Sequence, residues 1–470
     1  MRSTFFGLET AKRGMFTQQS ALYTTGHNIS NANTPGYTRQ RINFQTTTPY
    51  PSVGMNRPQI PGQMGTGVEA GSVQRIRDGF LDLQFRGKNS DLGYWQSRAD
   101  SLSKLENVLN EPSENGLSKV MGEFWKSLEI LSTNPENEGA RVVVLESAQA
   151  VADTFHHLHS SITEIREDLG YQAETTVKDV NSILTRIKDL NQQIKDVETH
   201  GYLPNDLYDD RDRLVDELSQ HLNIEVEKVD SGGADLSIAD GLYSINIVNE
   251  DGTKIPLIDA NTSTINQLTM AEDADGNITI SAGGSVLDSE GGLKALVKAN
   301  NEDYPKMLDA LDQMAKDFAT AFNDVHDDGI DLNGDQGGPF FSVGEGASDI
   351  SVVIVDPSKI AASSNGDAGD GENALNLANV QHDAGIISFF EGTIGSLGVQ
   401  ARAANRQLES SIASVMMIEG RRQSVSSVSL DEEMTNLIKY QHAYNAAARN
   451  ITVVDEMLDK VINGMGVVGR

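Results

Sequence analysis

The chemically capable side chains of this 470-residue chain are few, and their spacing does not assemble a site. The run "HHLH" puts His156 and His159 three apart on one helical face, where two imidazoles could ligate zinc, but no further ligand is evident to complete the set. A solvated or interhelical pair is the expected role. In "DLNGDQGG", Asp331, Asn333 and Asp335 alternate as in a calcium loop. Gln336 then stands where the sharp turn needs glycine, and Ser342 where a bidentate Glu would close the coordination, so the segment reads as a turn. There is no HExxH helix, no GxSxG elbow and no phosphate-cradling loop. Cysteine is absent, which removes disulfides, thiolate metal sites and a Cys nucleophile. No catalytic residue, cofactor or metal is expected.

Charge narrows the partners. Asp plus Glu is 68 against 37 Lys plus Arg, a net charge of -31, and nucleic acid requires a basic face. The first 58 residues run the other way, with Arg2, Lys12, Arg13, Arg39, Arg41 and Arg57 against Glu9 alone, the pattern of an interacting basic arm. No run reaches the roughly 18 apolar residues of a membrane span. The segment "MRSTFFGLETAKRGMFTQQS" lacks the apolar core of a secretory signal. The expectation is a soluble protein with no membrane insertion and no cleaved signal peptide, divided into two to four domains.

The positioning elements are mostly helical. Leu8, Met15, Leu22 and Ile29 repeat in sevens with Ala11, Gln18 and Thr25 between them, a narrow apolar seam. Gly7, Gly14 and Gly26 each cost about 1 kcal/mol of helix propensity relative to Ala, so this helix needs a partner. It stops within "NISNANTPGYTRQ", at Asn31, Asn33, Pro35 and Gly36, with Tyr37 as a packing anchor beyond the stop and Arg39 and Arg41 facing acidic neighbours. At the far end Leu430, Leu437, Tyr444, Ile451 and Leu458 repeat in sevens, with Tyr440, Ala447, Val454 and Val461 three residues after. Glu433 interrupts that second series, as at a fraying end. The two ends are expected to pair as an antiparallel coiled coil.

Between them, Asp78 can cap a helix carrying Leu81, Phe85, Leu92, Trp95, Ala99, Leu102 and Leu109, and a shorter helix follows through Leu131. A long helix from Ala140 to His200 is interrupted only at Gly170, and another spans Asn205 to Leu222. From Asn223 to Gly292 the chain alternates and is rich in glycine. "IEVEKV", "DLSIAD", "YSINIV", "DADGNITI" and "AGGSVLD" predict a small antiparallel β domain, whose residues 230–290 carry eleven acids against Lys254. Helix resumes from Pro305 to Asp328, more strand surrounds "PFFSVGEGASDISVVIVDPSKIAAS", and "SSNGDAGDGEN" reads as a loop. The fold class is therefore mainly α with a β insert, an elongated, nested, multidomain subunit. Residues 1–60 plus 416–470 form the terminal coiled-coil domain, 61–222 plus 293–415 a central helical bundle with accessory strands, and 223–292 the outer β domain.

"NISNANTPGYTRQ", "LPNDLYDDRDRLVDELSQ", "FNDVHDDGIDLNGDQGGPFF" and "VSLDEEMTNLIKYQHAYNAAARNITVVDEMLDKVI" together resemble the hook-associated proteins of the bacterial hook-filament junction, over nearly the whole chain. Hook and rod subunits share an Asn-rich N-terminal turn. Here the match continues through Thr34, Pro35, Gly36, Tyr37, Thr38, Arg39 and Gln40. The resemblance implies a structural subunit outside the cell, in the flagellum, joining hook to filament. Its partners would be the hook protein, the second junction protein and copies of itself in a ring. Before export, a cytoplasmic chaperone on the C-terminal region and the flagellar type III export apparatus would handle it. The two seams and the turn would then be the assembly interface, with the turn adapting between the two lattices. An acidic adhesin or binding module acting through the β insert is the alternative, and an enzyme hidden in that insert a third. Deletion of residues 224–291 separates them: the junction reading expects motility largely to survive, and the others expect activity to disappear.

Overall fold

The computed structural model describes residues 5–55, 61–109, 116–234, 236–382 and 386–463; Arg2, Arg57 and Asp235 of the charge pattern lie outside these. Ten α-helices are described: α1 (Phe6–Ser30), α2 (Gly79–Leu109), α3 (Leu117–Thr133), α4 (Glu138–Glu198), α5 (Asn205–His221), α6 (Gly292–Lys298), α7 (Tyr304–Asp327), α8 (Glu372–Asn379), α9 (Ile386–Ser426) and α10 (Leu430–Asn463). The strands are β1 (Gln40–Thr46), β2 (Val68–Arg75), β3 (Ile224–Val229), β4 (Leu242–Val248), β5 (Lys254–Asp259), β6 (Thr264–Ile265), β7 (Leu268–Glu272), β8 (Ile278–Ala282), β9 (Ser285–Val286), β10 (Phe341–Ser342) and β11 (Ser351–Val352).

The central bundle is built on α4, whose buried residues recur at helical spacing from Val144 to Ile162 and again from Leu169 to Ile194. It runs 61 residues without a break, passing straight through Gly170. Asn137 caps its start, accepting the Ala140 N–H at 3.2 Å. At one end of the bundle Phe124, Trp125 and Phe155 meet Phe318, Phe322, Phe340 and Phe341, with Phe318 and Phe341 ring centroids 4.9 Å apart. The "PFF" segment thus enters the core as aromatic ballast. The strand expected around it shrinks to the two-residue pair β10–β11.

The insert folds as two antiparallel sheets, β3-β4-β5-β6 and β7-β8-β9. "DLSIAD" forms no strand over its described residues, 236–240. Neither sheet stands apart from the bundle, because asparagines on the helices bind them by both backbone groups of a strand residue. Asn191 on α4 accepts the Tyr243 N–H at 3.2 Å and donates to its carbonyl at 2.9 Å. Asn181, also on α4, does the same to Leu268 at 2.8 and 2.9 Å. Asn301, in the π-helical turn Ala299–Asp303 between α6 and α7, clamps Ile278 at 2.8 Å both ways. Asn323 on α7 holds the Phe340 and Phe341 N–H groups and the Phe341 carbonyl. A carboxamide offers one donor and one acceptor side by side, so it completes a ladder position that would otherwise be an open edge.

The terminal helices pair antiparallel. The start of α1 lies against the end of α10, where a Cβ built on Gly7 would sit 3.9 Å from Val454 Cγ2, and the chain just after α1 meets the beginning of α10 through Arg39 and Glu433. The hairpin β1–β2, bulged at Asn43/Phe44, covers a second face of α1. That face is polar: Thr17, Thr24, Thr25 and Asn28 are buried with Ala21, and the Thr17 hydroxyl donates to the Arg13 and Val68 carbonyls. The missing signal is α9, a 41-residue helix packed antiparallel to α2 and running unbroken through 415 and 416, where a domain limit was expected.

Asn323→Leu keeps the side-chain size but strips two amide N–H groups and a carbonyl of their partner. It should lower the unfolding free energy by about 2 kcal/mol or more, since each buried group left unpaired costs about 1–3 kcal/mol. The urea midpoint of the purified chain measures this.

Candidate assembly interface and its charged joint

On α1, Leu8, Met15, Leu22 and Ile29 are half-buried, as are Leu437, Tyr440, Tyr444, Ile451, Val454 and Leu458 on α10. Leu430 is not in the seam, being 49% exposed at the first residue of α10. The Tyr440 ring meets Phe44 of the hairpin edge-on at 6.0 Å. Apolar side chains also stay open: Met434, Ile438 and Met457 on α10, Met416 and Met417 on α9, and Phe16 and Tyr23 on α1 are exposed, as is Val461, a seam position near the end of α10.

The turn ends α1 by local chemistry. Asn31 folds its amide back to the His27 carbonyl at 3.1 Å, and Gly36 takes φ +82°, a left-handed conformation that disfavours side chains. Asn33 and Pro35 are exposed, and a Cβ at Gly36 would touch the Arg213 side chain. Tyr37 is an anchor through its hydroxyl, which donates to Asn28 Oδ1 at 2.8 Å and lies 2.9 Å from His27 Nδ1. Burial, then the neighbouring Asp206, Asp209 and Glu433, push its phenol well above the ordinary tyrosine range. Asn28 clamps Gln40 through both backbone groups, as the other asparagines clamp their strands. Arg39 donates from Nε to Glu433 at 2.7 Å and from Nη1 to Glu432 at 2.6 Å. Glu433 is 2% exposed, so it is a buried ion-pair partner and not part of a frayed end.

Below the turn lies a charged joint. The Thr38 N–H donates to Asp209 at 2.9 Å, and Arg75 at the end of β2 donates to Asp209 at 2.7 Å and Asp212 at 2.9 Å, while pairing with Asp240. Arg77 and Arg86 each approach Asp212 at 3.2 Å, and the Tyr243 hydroxyl donates to it at 3.0 Å. Burial alone would push the Asp212 carboxyl up; Arg77, Arg75, Arg86 and Arg211 outweigh it and hold the group far below the usual carboxylate range. Asp209 shows the opposite balance, its burial outweighing Arg75 and raising it. Arg211 is wholly buried, its guanidinium 3.5 Å from the Tyr243 ring centroid and donating to Asn191 and the Gly241 carbonyl. Arg86 and Arg422 converge on Asp216, at 2.9 and 2.5 Å, tying in α2 and α9.

These groups are absent from the sequence-based expectations. Asp209, Asp212 and Asp216 do share one helical face, but acids at such spacing on α5 read as a solvated surface. Elsewhere, the Asp331 carboxylate accepts the Asn333 and Asp335 N–H groups at 2.7 and 2.9 Å, the geometry of a turn. His156 Nε2 is buried without a hydrogen-bond partner, and among the described residues no group of three His, Asp or Glu is placed to hold a metal. No described helix is long and apolar enough to cross a membrane.

The two chain ends that pair as the helical stem both match families of flagellar rod proteins. Residues 8–38 match the flagella basal body rod protein family and 421–464 the C-terminal region of the basal body rod FlgEFG proteins. Residues 102–341 match the helical domain of the flagellar hook-associated protein FlgK. Flagellar hook-associated protein 1 of Bacillus subtilis is 42% identical over the full length of both chains, and that of Escherichia coli 25% identical over 97% of this chain and 99% of its own. The flagellar hook junction protein FlgK from Burkholderia pseudomallei superposes with a TM-score of 0.62 at 15% identity, over 73% of this chain and all of that one, a likeness of fold. The chain belongs to the flagellar hook-associated protein 1 family, a family of structural flagellar proteins.

Asp212→Asn leaves the surrounding arginines uncompensated and should cost about 3–5 kcal/mol at neutral pH. Because the Asp212 carboxyl is held below its unfolded value, its stabilisation is in place above about pH 4 and is lost as pH falls toward the folded-state value. Urea titrations across that acid range should show this limb in the parent chain and not in the variant.

Proposed function

We propose that this protein joins hook to filament by forming a ring of copies through its terminal stem, and that it works by assembly without chemistry of its own. The observation that carries the reading is the apolar surface left open on the stem. Met434, Ile438, Met457 and Val461 of α10 and Phe16 and Tyr23 of α1 are exposed on helices already paired with each other. Exposed large apolar side chains along a paired stem mark a contact surface, and in a structural flagellar subunit neighbouring subunits are the fitting cover. The proposed partners are the hook protein below, the second junction protein above and copies of this chain alongside. Earlier, an export chaperone would hold the C-terminal region and the type III apparatus would pass the chain unfolded. The weak seams suit that route, because a stem stable only when paired is readily kept open. We further take the stem, bundle and β insert as three functional units, bounded near residues 60, 222, 292 and 415, with the turn at Pro35 and Gly36 as the adaptor between lattices.

Removing the whole insert is a poor test of the adhesin alternative, since Tyr243 and Gly241 of the insert are partners of Asp212, Asn191 and Arg211. Surface substitutions discriminate better. Ile438→Asp with Met457→Asp should change the stability of the free chain by no more than about 0.5 kcal/mol, yet abolish filament growth in cells that depend on this protein. Val286→Asp, exposed in the insert, should leave swimming unchanged. Normal filaments from the stem variant would refute the reading, and loss of surface attachment alone from the insert variant would favour an adhesin.

A further inference from the structure

The pattern of the stem does not choose its own alignment. Leu8, Met15, Leu22 and Ile29 repeat in sevens, and so do Leu437, Tyr444, Ile451 and Leu458. Sliding one helix past the other by a heptad, about 10 Å, therefore keeps apolar side chains opposite apolar ones. The seam residues are only half-buried on both sides, so shape complementarity opposes the slip weakly. Gly7, Gly14 and Gly26 on α1 add no knobs that would mark a position.

One end of the stem breaks this degeneracy. Glu433 is the one fully buried residue among those described on α10, and it occupies a heptad position where an apolar side chain would stabilise more. Its partner Arg39 is fixed by its backbone: its N–H donates to the Ser426 carbonyl at 2.9 Å, where α9 bends into α10, and its carbonyl accepts the Ile76 N–H at 2.8 Å. The guanidinium then reaches both Glu433 and Glu432. We propose that Arg39 and Glu433 form a register lock, a buried ion pair that sacrifices apolar packing at the open end of the stem to forbid the heptad slip its seam allows.

The geometry also selects the slip that is forbidden. Moving Ser426 into the place of Glu433 would pull on the last turns of α9, anchored by Arg422 to Asp216 on α5 and Asp82 on α2. The opposite slip needs only the first two turns of α10 to loop out, where Leu430, Asp431 and Glu432 are already exposed. It brings Tyr440 opposite Arg39 and Val461 opposite Gly7. The guanidinium then loses both carboxylates while its backbone remains tied, and a partly buried ion left without its partners is destabilised. A single polar group at a heptad core position is a known means of specifying alignment at some expense in stability. The lock is a property of the single chain; its use, holding the exposed apolar side chains of α10 at one height for neighbouring subunits, rests on the assembly reading above.

The absence of cysteine makes the alignment directly measurable. In the full-length chain, G7C/V454C reports the observed register, because the Gly7 Cβ position lies 3.9 Å from Val454 Cγ2, near disulfide reach. G7C/V461C reports the slipped one. Under mild oxidation the parent chain should close only the first pair. Adding R39L/E433L, which replaces the ion pair by apolar side chains and need not destabilise the stem, should raise the second crosslink by about tenfold or more relative to the first. The exchanged cluster R39E/E432K/E433R should restore the parent pattern. If R39L/E433L closes only the first pair, the seam sets its own register and the proposal fails. Loss of both crosslinks would also overturn it, showing that the pair holds the stem together without choosing its alignment, and so would an open G7C/V454C in the parent. These readouts use the free chain, so a failed assembly reading would leave them untouched.

Discussion

The structure turns on one buried carboxylate. Asp212 lies fully inside the protein, where an unpaired charge would be prohibitive, and it stays ionised because Arg75, Arg77, Arg86 and Arg211 surround it. Those arginines come from the strand that leaves the stem, from α2 and from α5 itself, and Tyr243 adds a donor from the insert. A charge that can be satisfied only by several elements at once dictates how those elements meet. The joint between stem, bundle and insert is therefore specified by directional electrostatics, whereas the bundle's aromatic end is held by packing of Phe124, Phe318, Phe322 and Phe341.

The asparagine clamps apply the same principle with neutral groups. Asn28, Asn181, Asn191 and Asn301 each pair with both backbone groups of one residue on or beside a strand, so a helix and a strand dock in only one relative position. Neither device depends on a large apolar interface. That suits a protein whose terminal stem carries half-buried seams and exposed apolar side chains, and whose family is one of structural flagellar proteins. The joints are set by directional bonds, and apolar side chains stay exposed on the stem.

How much of this could be read beforehand follows from what leaves a periodic trace. The α10 seam was legible because Leu437, Tyr444, Ile451 and Leu458 mark one helical face with residues of one kind. The turn at Asn31 to Gly36 was legible because glycine, proline and asparagine act on their own backbone. Glu433 was misread as a sign of fraying because its neighbours along the chain are exposed acids, while Arg39, the residue that buries it, is nearly four hundred positions away. The first half of α2 misled in the same way. Its deepest residues are Asp82, Arg86, Ser90 and Gly93, and the apolar Leu81, Phe85 and Leu92 are only partly covered.

The sequence by itself determined the helical stem at the two ends, the acidic β insert, the lack of cysteine chemistry and the family. Each is written in local composition, in a repeat of seven, or in motifs contiguous along the chain. The tertiary structure alone decided which charges are interior, that α9 pairs with α2, and that the insert is bonded into the bundle. Whether a carboxylate costs energy or organises a fold depends on the water it loses and the cations it meets. Both are set by segments far away in the chain, and no local pattern records them.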